Sequence, residues 1–313
     1  MCEISESDCC GNGCTNCILD SKPLSTKRAD LTQKKNILHT YRKYKLIEIN
    51  HYNNRPHLIQ LKFTIAEENG DNKQLTEFIL DCPPGHHLMM RAPVFDGTGI
   101  RCNKTVLRPY SPFWTDMTEF QFKILVNLKP NGQMTKYIEK LKLNDEVEFR
   151  GPIGVFVYEP SLNADSSLVI FCQGVAIAPT IPILERILHN EDDNCRIYHF
   201  SCFQNIDSII FREKLIEFNR YWNFSSETYL SHQKCSECCD LSFNGGCEHF
   251  KRLLKYKEQV KPRRLSMQII SSSLEEIKST KKQFVVCGSN TFQEFIKDCL
   301  IKCDINKNCI FVF

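Results

Sequence analysis

The chain has 313 residues, 25% charged and 42% hydrophobic, with a net charge of +3 at neutral pH. That length suffices for two domains with separate cores, and so small a charge argues against a nucleic-acid binder. No apolar run approaches the ~20 residues that span a bilayer, and neither a signal segment nor a glycine at position 2 is present, so a soluble, intracellular, cytoplasmic protein is expected.

Cysteine is abundant, at 18. Without a signal segment, reduced thiols or metal sites are favoured over disulfides. Residues 1–20 form a cysteine-rich motif with Cys9, Cys10, Cys14 and Cys17 around two glycines. Cys-x2-Cys spacing at a glycine turn suits a tetrahedral zinc or iron–sulfur site; a tail carrying reactive thiols is the alternative. Residues 21–43 read as a basic linker, with Lys27, Arg28, Lys34, Lys35, Arg42 and Lys43 against Asp30. Such a run is a solvated connection that can also steer an acidic redox partner.

Residues 44–160 have all-β texture. Leu46–Ile49, Leu58–Ile65, Leu75–Leu80 and Glu119–Leu128 are short strand-like runs separated by Asn, Gly and Pro turns. Several such strands predict a small antiparallel barrel. His86 and His87 invite a metal reading, but histidines held by hydrogen bonds on a barrel strand are the plainer one. The stretch Arg108-Pro109-Tyr110-Ser111-Pro112 sets a guanidinium, an aromatic ring and a hydroxyl within a few residues. On an extended strand Arg108 and Tyr110 share a face. Arginine grips phosphate oxygens in pairs, and tyrosine offers a flat surface to a ring system. A strand edge with a surface arginine and a core tyrosine is the bland alternative. From Gly132 to Lys140 a helix is predicted, starting at a glycine turn that exposes backbone N–H groups, and the positive end of its dipole, to a phosphate.

From residue 161 strand and helix alternate. Ser167–Cys172, Arg196–Phe203 and Phe284–Val286 are strand candidates, with a last strand at Cys309–Phe313. Ile183–Leu188, Phe211–Phe218 and Thr291–Leu300 are helix candidates. This alternation implies a doubly wound α/β domain over 161–313, with ligands outside the carboxyl ends of its parallel strands. Within it, 232–249 reads as a cysteine-rich insertion. Cys235, Cys238, Cys247 and His249 there have the spacing of a Cys3His zinc knuckle; a surface loop bearing cysteines is the alternative.

Three motifs at close spacing carry a resemblance: RPYSP at 108–112, NGQMT at 131–135 and RGPIG at 150–154. Together they resemble the NADH-cytochrome b5 reductases of the ferredoxin–NADP reductase superfamily, from about Tyr44 to Phe313. Those enzymes carry Arg-x-Tyr-Ser/Thr, Gly-x-Met-Ser/Thr and Gly-Pro-x-Gly motifs. Residues 1–20 further resemble an oxidoreductase-like motif found ahead of some reductase-like proteins. The resemblance implies an FAD-binding β-barrel followed by an NAD(P)-binding domain. It implies that Arg108 holds an FAD phosphate, Tyr110 lies against the isoalloxazine and Ser111 approaches flavin N5. Pro109 stiffens that segment, and Gly132, Gln133, Met134 and Thr135 cradle the pyrophosphate.

On the nucleotide side it implies roles for Gly174, Ala178 and Pro179, within Gln173–Pro179, and for Cys287 and Gly288. Cys287 is placed beside the nicotinamide with a catalytic part alongside Ser111. Here the family's Thr-Gly pair is replaced by Val175-Ala176, and its second threonine by Ala178, which should weaken nucleotide binding. Ser231 falls near the aspartate that NADH-preferring relatives carry, so NADPH is possible beside NADH.

The expected activity is passage of a hydride from NAD(P)H to FAD and of single electrons onward to a haem protein of the cytochrome b5 type. The alternative is a catalytically weak flavin-binding or metal-binding interaction protein, motivated by the lost Thr-Gly pair and the two cysteine clusters.

Overall fold

In the structure, a computed structural model, the described residues are 34–52, 55–66, 75–95, 101–160, 165–234 and 247–313. They divide into two units between Val157 and Tyr158. In the first, β1 (Arg42–Tyr52), β2 (Arg55–Ile65), β3 (His87–Phe95), β4 (Arg101–Tyr110), β5 (Pro112–Asp116), β6 (Gln121–Asn127) and β7 (Glu146–Ile153) form one antiparallel sheet. Its order is β4-β3-β7-β1-β2-β6-β5. The sheet curls on itself, so that β4 at one edge approaches β6 near the other, and the result is barrel-like.

Alternation along the strands gives the sheet one buried face. In β7, Val147 and Phe149 are buried while Glu146 is exposed, the period-2 pattern of a strand with one face in a core. Four rings meet there. Phe149 lies 5.0 Å from Phe122, 4.9 Å from Phe63 and 5.9 Å from Tyr44, each pair edge-to-face. Such contacts add about 0.5–1.5 kcal/mol per pair to area burial. The Tyr44 hydroxyl is buried with no hydrogen-bond partner. On β5, Trp114 lies under the ammonium groups of Lys62 and Lys123, at 5.2 and 5.5 Å. The helix α1 (Gln133–Ile138) enters the same core through Met134 and Ile138.

Two expectations change in this unit. Leu75–Leu80 is not one strand: Leu75–Glu77 is a 3-10 turn, and only Phe78–Ile79 extends, pairing in parallel with Lys35–Asn36. The basic segment from Lys35 onward is not a solvated connection but part of the unit. Ile37 and Leu38, 1% and 0% exposed, plug its core, and Arg42 and Lys43 begin β1. Two apolar side chains outweigh the surrounding cations, whose heads stay in water.

The second unit holds β8 (Ser166–Gln173), α2 (Thr180–Leu188), β9 (Arg196–Phe203), α3 (Arg212–Phe218), β10 (Phe224–Leu230), α4 (Glu248–Arg252), β11 (Val260–Lys261), α5 (Met267–Glu276), β12 (Lys281–Cys287), α6 (Asn290–Lys302) and β13 (Ile310–Val312). Its strands are all parallel, in the order β11-β10-β9-β8-β12-β13. The central strands read as continuous apolar runs because both faces are covered: Leu168–Cys172 and Phe284–Cys287 are at most 1% exposed. Ile270 and Leu274 of α5 and Phe292, Ile296 and Leu300 of α6 cover the face that carries Val169, Phe171, Phe284 and Val286. The alternate residues Leu168, Ile170 and Cys172 point to the opposite face. A buried carboxylate, Asp193, anchors the start of this unit by accepting the Tyr158 hydroxyl at 2.8 Å and the Cys195 N–H at 3.1 Å. The unit's one tryptophan, Trp222, is 67% exposed.

Candidate functional site

In the first unit the candidate residues gather on β3, β4 and α1. Across the β3–β4 ladder Met90 faces Arg108 and Leu88 faces Tyr110. Both partners are buried in the barrel core, and Val106 and Tyr110 pack against that core. Arg108 therefore shares the face of Val106 and Tyr110. Leu107 points the other way, into a separate cluster with Met89 and Ile153. The Arg108 guanidinium donates to the Leu107 carbonyl at 2.7 Å. Burial pushes the Tyr110 phenol well above its usual range, and the Arg108 charge acts against that shift. The two groups are thus electrostatic neighbours on one face. Pro109 is exposed on the other, and Ser111 is half-buried at the bend into β5.

Helix α1 packs on β3 and β4, which brings the second motif beside the first. The turn ahead of it is closed twice: the Gly132 N–H donates to the Lys129 carbonyl at 3.1 Å, and the Lys129 N–H donates to Thr135 Oγ1 at 3.0 Å. A Cβ at Gly132 would stand 3.0 Å from Thr135 Oγ1 and 3.3 Å from the Lys129 oxygen, so a side chain there would press on the Thr135 hydroxyl and the turn. Gln133 is exposed and Met134 is an anchor in the core. The helix has only six residues, so local N–H groups rather than a long macrodipole would act on an anion. The third motif supports the first. A Cβ at Gly151 would meet Leu88 Cδ2 at 2.7 Å and the His87 oxygen at 3.0 Å; its absence lets β7 lie on β3 behind Tyr110.

In the second unit the chain reverses its direction of strand addition at β8: β9, β10 and β11 lie on one side, β12 and β13 on the other. The carboxyl ends of β8 and β12 flank that switch point. Gly174 takes a left-handed φ of +58° with open space where a Cβ would be, the backbone turn glycine adopts without strain. Gln173 reaches across the gap and accepts the Ser289 hydroxyl at 2.8 Å. Gly288 is hemmed in: a Cβ would stand 2.6 Å from Phe292 Cδ1 and 3.1 Å from Gln173 Cβ. The Gln293 amide donates to the Gly288 carbonyl at 2.9 Å and to the Phe313 carbonyl at 2.7 Å. Ala178 is 4% exposed and Pro179 is buried, so the open part of this loop is Gln173–Ala176.

Cys287 is fully buried and pairs in register with Cys172. Burial pushes both thiols up. Cys172 Sγ lies 3.5 Å from His199 Nε2. His199 is held neutral by burial, at about 3, and its Nδ1 has no partner. Of the barrel histidines, His86 has Nδ1 3.5 Å from the Pro84 oxygen. His87 is lowered to about 4, first by burial and then by the neighbouring His86.

The metal candidates Cys9, Cys10, Cys14, Cys17, Cys235 and Cys238 lie outside the described residues. Cys247 stands at the start of α4 and His249 within it. Among the described residues no group of three or more His, Cys, Asp or Glu side chains is placed to hold a metal. The bridge from Gln173 to Ser289 escaped sequence reasoning, since its partners are 116 positions apart and no spacing in the sequence links the two loops.

Comparison with known proteins agrees with this layout. Residues 72–158 match the family described as Oxidoreductase FAD-binding domain. Two proteins named NADH-cytochrome b5 reductase-like are similar over 98% of the chain. The one from Homo sapiens is 27% identical with 92% of its length covered, and the one from Mus musculus 26% with 93%. Among solved structures, the cytochrome b5 reductase domain of Ulva prolifera nitrate reductase superposes with a TM-score of 0.67 at 17% identity, covering 88% of this chain and 97% of that one.

A barrel-like antiparallel unit bearing that match, followed by a doubly wound parallel unit, defines a two-domain FAD-binding oxidoreductase. Its near-full-length relatives are proteins named NADH-cytochrome b5 reductase-like, and its fold is shared with the cytochrome b5 reductase domain of that nitrate reductase.

Proposed function

We propose that the protein is an NAD(P)H-dependent flavoprotein reductase that delivers electrons to a haem protein of the cytochrome b5 type. FAD, when bound, supplies the chemistry: it takes two electrons with a hydride and releases them singly. The observation that carries the reading is Arg108 and Tyr110 on one face of β4, beside the tight turn that opens α1. A guanidinium fits phosphate oxygens, a half-buried phenol ring fits a flat ring system, and a tight glycine turn at a helix start can present backbone N–H groups to an anion. In this reading Arg108 holds a phosphate, Tyr110 lies against the isoalloxazine, and Ser111 stands close to the reacting edge. Gly132, Gln133, Met134 and Thr135 form the pyrophosphate cradle. The Thr135 oxygen accepts from Lys129 and keeps its own proton to donate.

The carboxyl edge of the parallel sheet is where a nucleotide is expected. There Gly174 leaves open space beside the backbone, and Gly288 lets Phe292 and Gln173 pack against the loop. Ala178, Pro179 and Cys287 act from beneath, by packing, because they are buried. A cytoplasmic setting suits a chain whose described cysteines are free thiols; no described helix is long and apolar enough to cross a membrane. Cytochrome b5 as acceptor is supported by the names of the relatives.

The test is direct. Purified protein incubated with FAD should hold a yellow, stoichiometric flavin and oxidise NADH or NADPH with ferricyanide as acceptor. Protein that stays colourless refutes the reading. A second reading, a flavin-binding protein without turnover, draws on the Gln173–Ser289 bridge across the switch point. Stopped-flow mixing separates the two: prompt bleaching of the flavin by nucleotide supports the reductase, and a flavin that stays oxidised supports the second reading.

A further inference from the structure

Among the described residues the large apolar side chain most open to water is Tyr256, 85% exposed, in the turn between α4 and β11. That turn is built firmly. The Glu258 N–H donates to the Lys255 carbonyl at 3.1 Å, and the Lys255 N–H donates to Glu258 Oε2 at 3.0 Å. Arg212, the first residue of α3, anchors it. Its guanidinium donates to both oxygens of Glu258 at 2.6 Å and to the Leu253 carbonyl at 2.7 Å. The Glu258 side chain is 8% exposed, so this two-pronged pair is largely withdrawn from water. Lys257 takes a left-handed φ of +63°, a conformation that a residue with a Cβ rarely adopts. The Tyr256 ring is thus held out in solvent by a fixed backbone, and a contact made by it costs little further ordering.

The neighbours of Tyr256 are of one kind. Leu253, three residues earlier, is 42% exposed. Residues 249–257 carry Lys251, Arg252, Lys255 and Lys257 and no acid. All four cations are exposed, and the Lys257 ammonium lies 5.5 Å from the centre of the Tyr256 ring. Two of the four are offset, Lys251 by Glu248 and Lys255 by Glu213. Glu258 is taken by Arg212. Arg252 and Lys257 therefore carry the surplus positive charge of the turn.

An amphipathic ring and an aliphatic side chain among cations match the boundary of an anionic bilayer. There tyrosine sets its ring in the headgroup layer and its hydroxyl toward water, while lysine and arginine keep their charges beside the lipid phosphates. A single turn offers too little area for a stable protein interface, which buries about 800 Å² per partner, whereas a soft lipid surface admits it. We propose that the turn over residues 251–257 docks this protein reversibly on an anionic membrane surface, with Tyr256 and Leu253 entering the headgroup layer and Arg252 and Lys257 facing lipid phosphates. The contact is peripheral and sensitive to salt. It stands independently of the flavin and nucleotide sites.

Flotation of the full chain with vesicles tests it, comparing phosphatidylcholine alone with an equimolar mixture of phosphatidylcholine and phosphatidylserine. The expected result is at least about tenfold tighter binding to the mixed vesicles, weakened by added salt. Tyr256→Ala should loosen that binding about threefold or more. Arg252→Glu with Lys257→Glu should reduce it to the level of phosphatidylcholine alone. Lys278→Glu with Lys281→Glu makes the same charge change away from the turn and should leave binding within about twofold of the unsubstituted chain. All five substituted side chains are exposed, so the variants keep the core intact. Equal affinity for the two vesicles, binding to neither, or an equal loss in both double variants overturns the proposal. So does unchanged binding by Tyr256→Ala, and so does a protein that ignores vesicles yet binds polyglutamate, the mark of an acidic protein partner.

Discussion

Gln173 and Ser289 meet across the switch point of the parallel sheet, the Ser289 hydroxyl donating to Gln173 Oε1 at 2.8 Å. The same oxygen faces the Ser289 N–H at 3.3 Å, so one amide orders the first residue beyond Gly288 while its own strand leads into Gly174. The bridge joins the two loops that a nucleotide must touch. Gln173→Ala should therefore leave the fold intact and raise the KM for the preferred nucleotide by about fivefold, the equivalent of one hydrogen bond near 1 kcal/mol. Steady-state kinetics with saturating ferricyanide would show it, and an unchanged KM would mean that the bridge does not position the site.

Arg108 is expected to carry flavin retention. Arg108→Ala removes the group proposed to contact phosphate, and hydrogen bonds to charged partners contribute about 1.5–3 kcal/mol. FAD should bind roughly 10–100-fold more weakly, measured by quenching of flavin fluorescence on titration. Tyr110→Phe, which keeps the ring, should hold FAD better than Tyr110→Ala. Equal loss in both tyrosine variants would count against ring contact.

Gly151 is a packing glycine, and its substitution tests the barrel rather than the chemistry. With a Cβ 2.7 Å from Leu88 Cδ2 and 3.0 Å from the His87 oxygen, Gly151→Ala must displace the buried Leu88 side chain or push β7 away from β3. Overpacking of this kind costs about 1–3 kcal/mol. The denaturation midpoint should fall, and because Leu88 pairs with Tyr110, FAD affinity should fall with it. Gly174→Ala has no steric contact to relieve and should suffer only from its left-handed φ.

His199 predicts an acid limit to stability. In an unfolded chain imidazole titrates near 6.5, whereas burial in the sheet holds His199 at about 3. Below pH 6.5 the unfolded chain takes up a proton that the folded one refuses. Stability is thus independent of this group above pH 6.5 and falls as pH drops through the window down to about 3, at up to about 1.4 kcal/mol per pH unit. His87, lowered to about 4, adds to the slope over most of the same range. Replacing His199 by phenylalanine should make chemical-denaturation stability less steep in pH between 6 and 4. A slope equal to that of the unsubstituted protein would refute the assignment.

Strands with an unbroken apolar run or strict alternation are legible from residue type alone. Arg196–Phe203 is a strand over the residues its pattern marks, and Phe211–Phe218 differs from α3 by one residue. The strands β3 and β4 are harder, since each contains a proline that demotes a strand reading. Phe224–Leu230 has the polar run Ser225-Ser226-Glu227-Thr228 in its middle, yet Ser226 and Thr228 are buried through partners on other elements. The face shared by Arg108 and Tyr110 follows from period 2 alone. The closeness of α1 to that face and the bridge from Gln173 do not. Each joins segments far apart in the chain, and only the register of the sheets brings them together.

The chain has two tryptophans, one in each unit: Trp114 beneath two lysine ammonium groups and Trp222 at the surface. Each unit thus carries its own fluorescent reporter. Trp222→Phe leaves a signal from the barrel alone and Trp114→Phe one from the parallel sheet alone. Melting curves of the two variants would read separately whether the units unfold in one cooperative step or in succession, and which of them FAD protects.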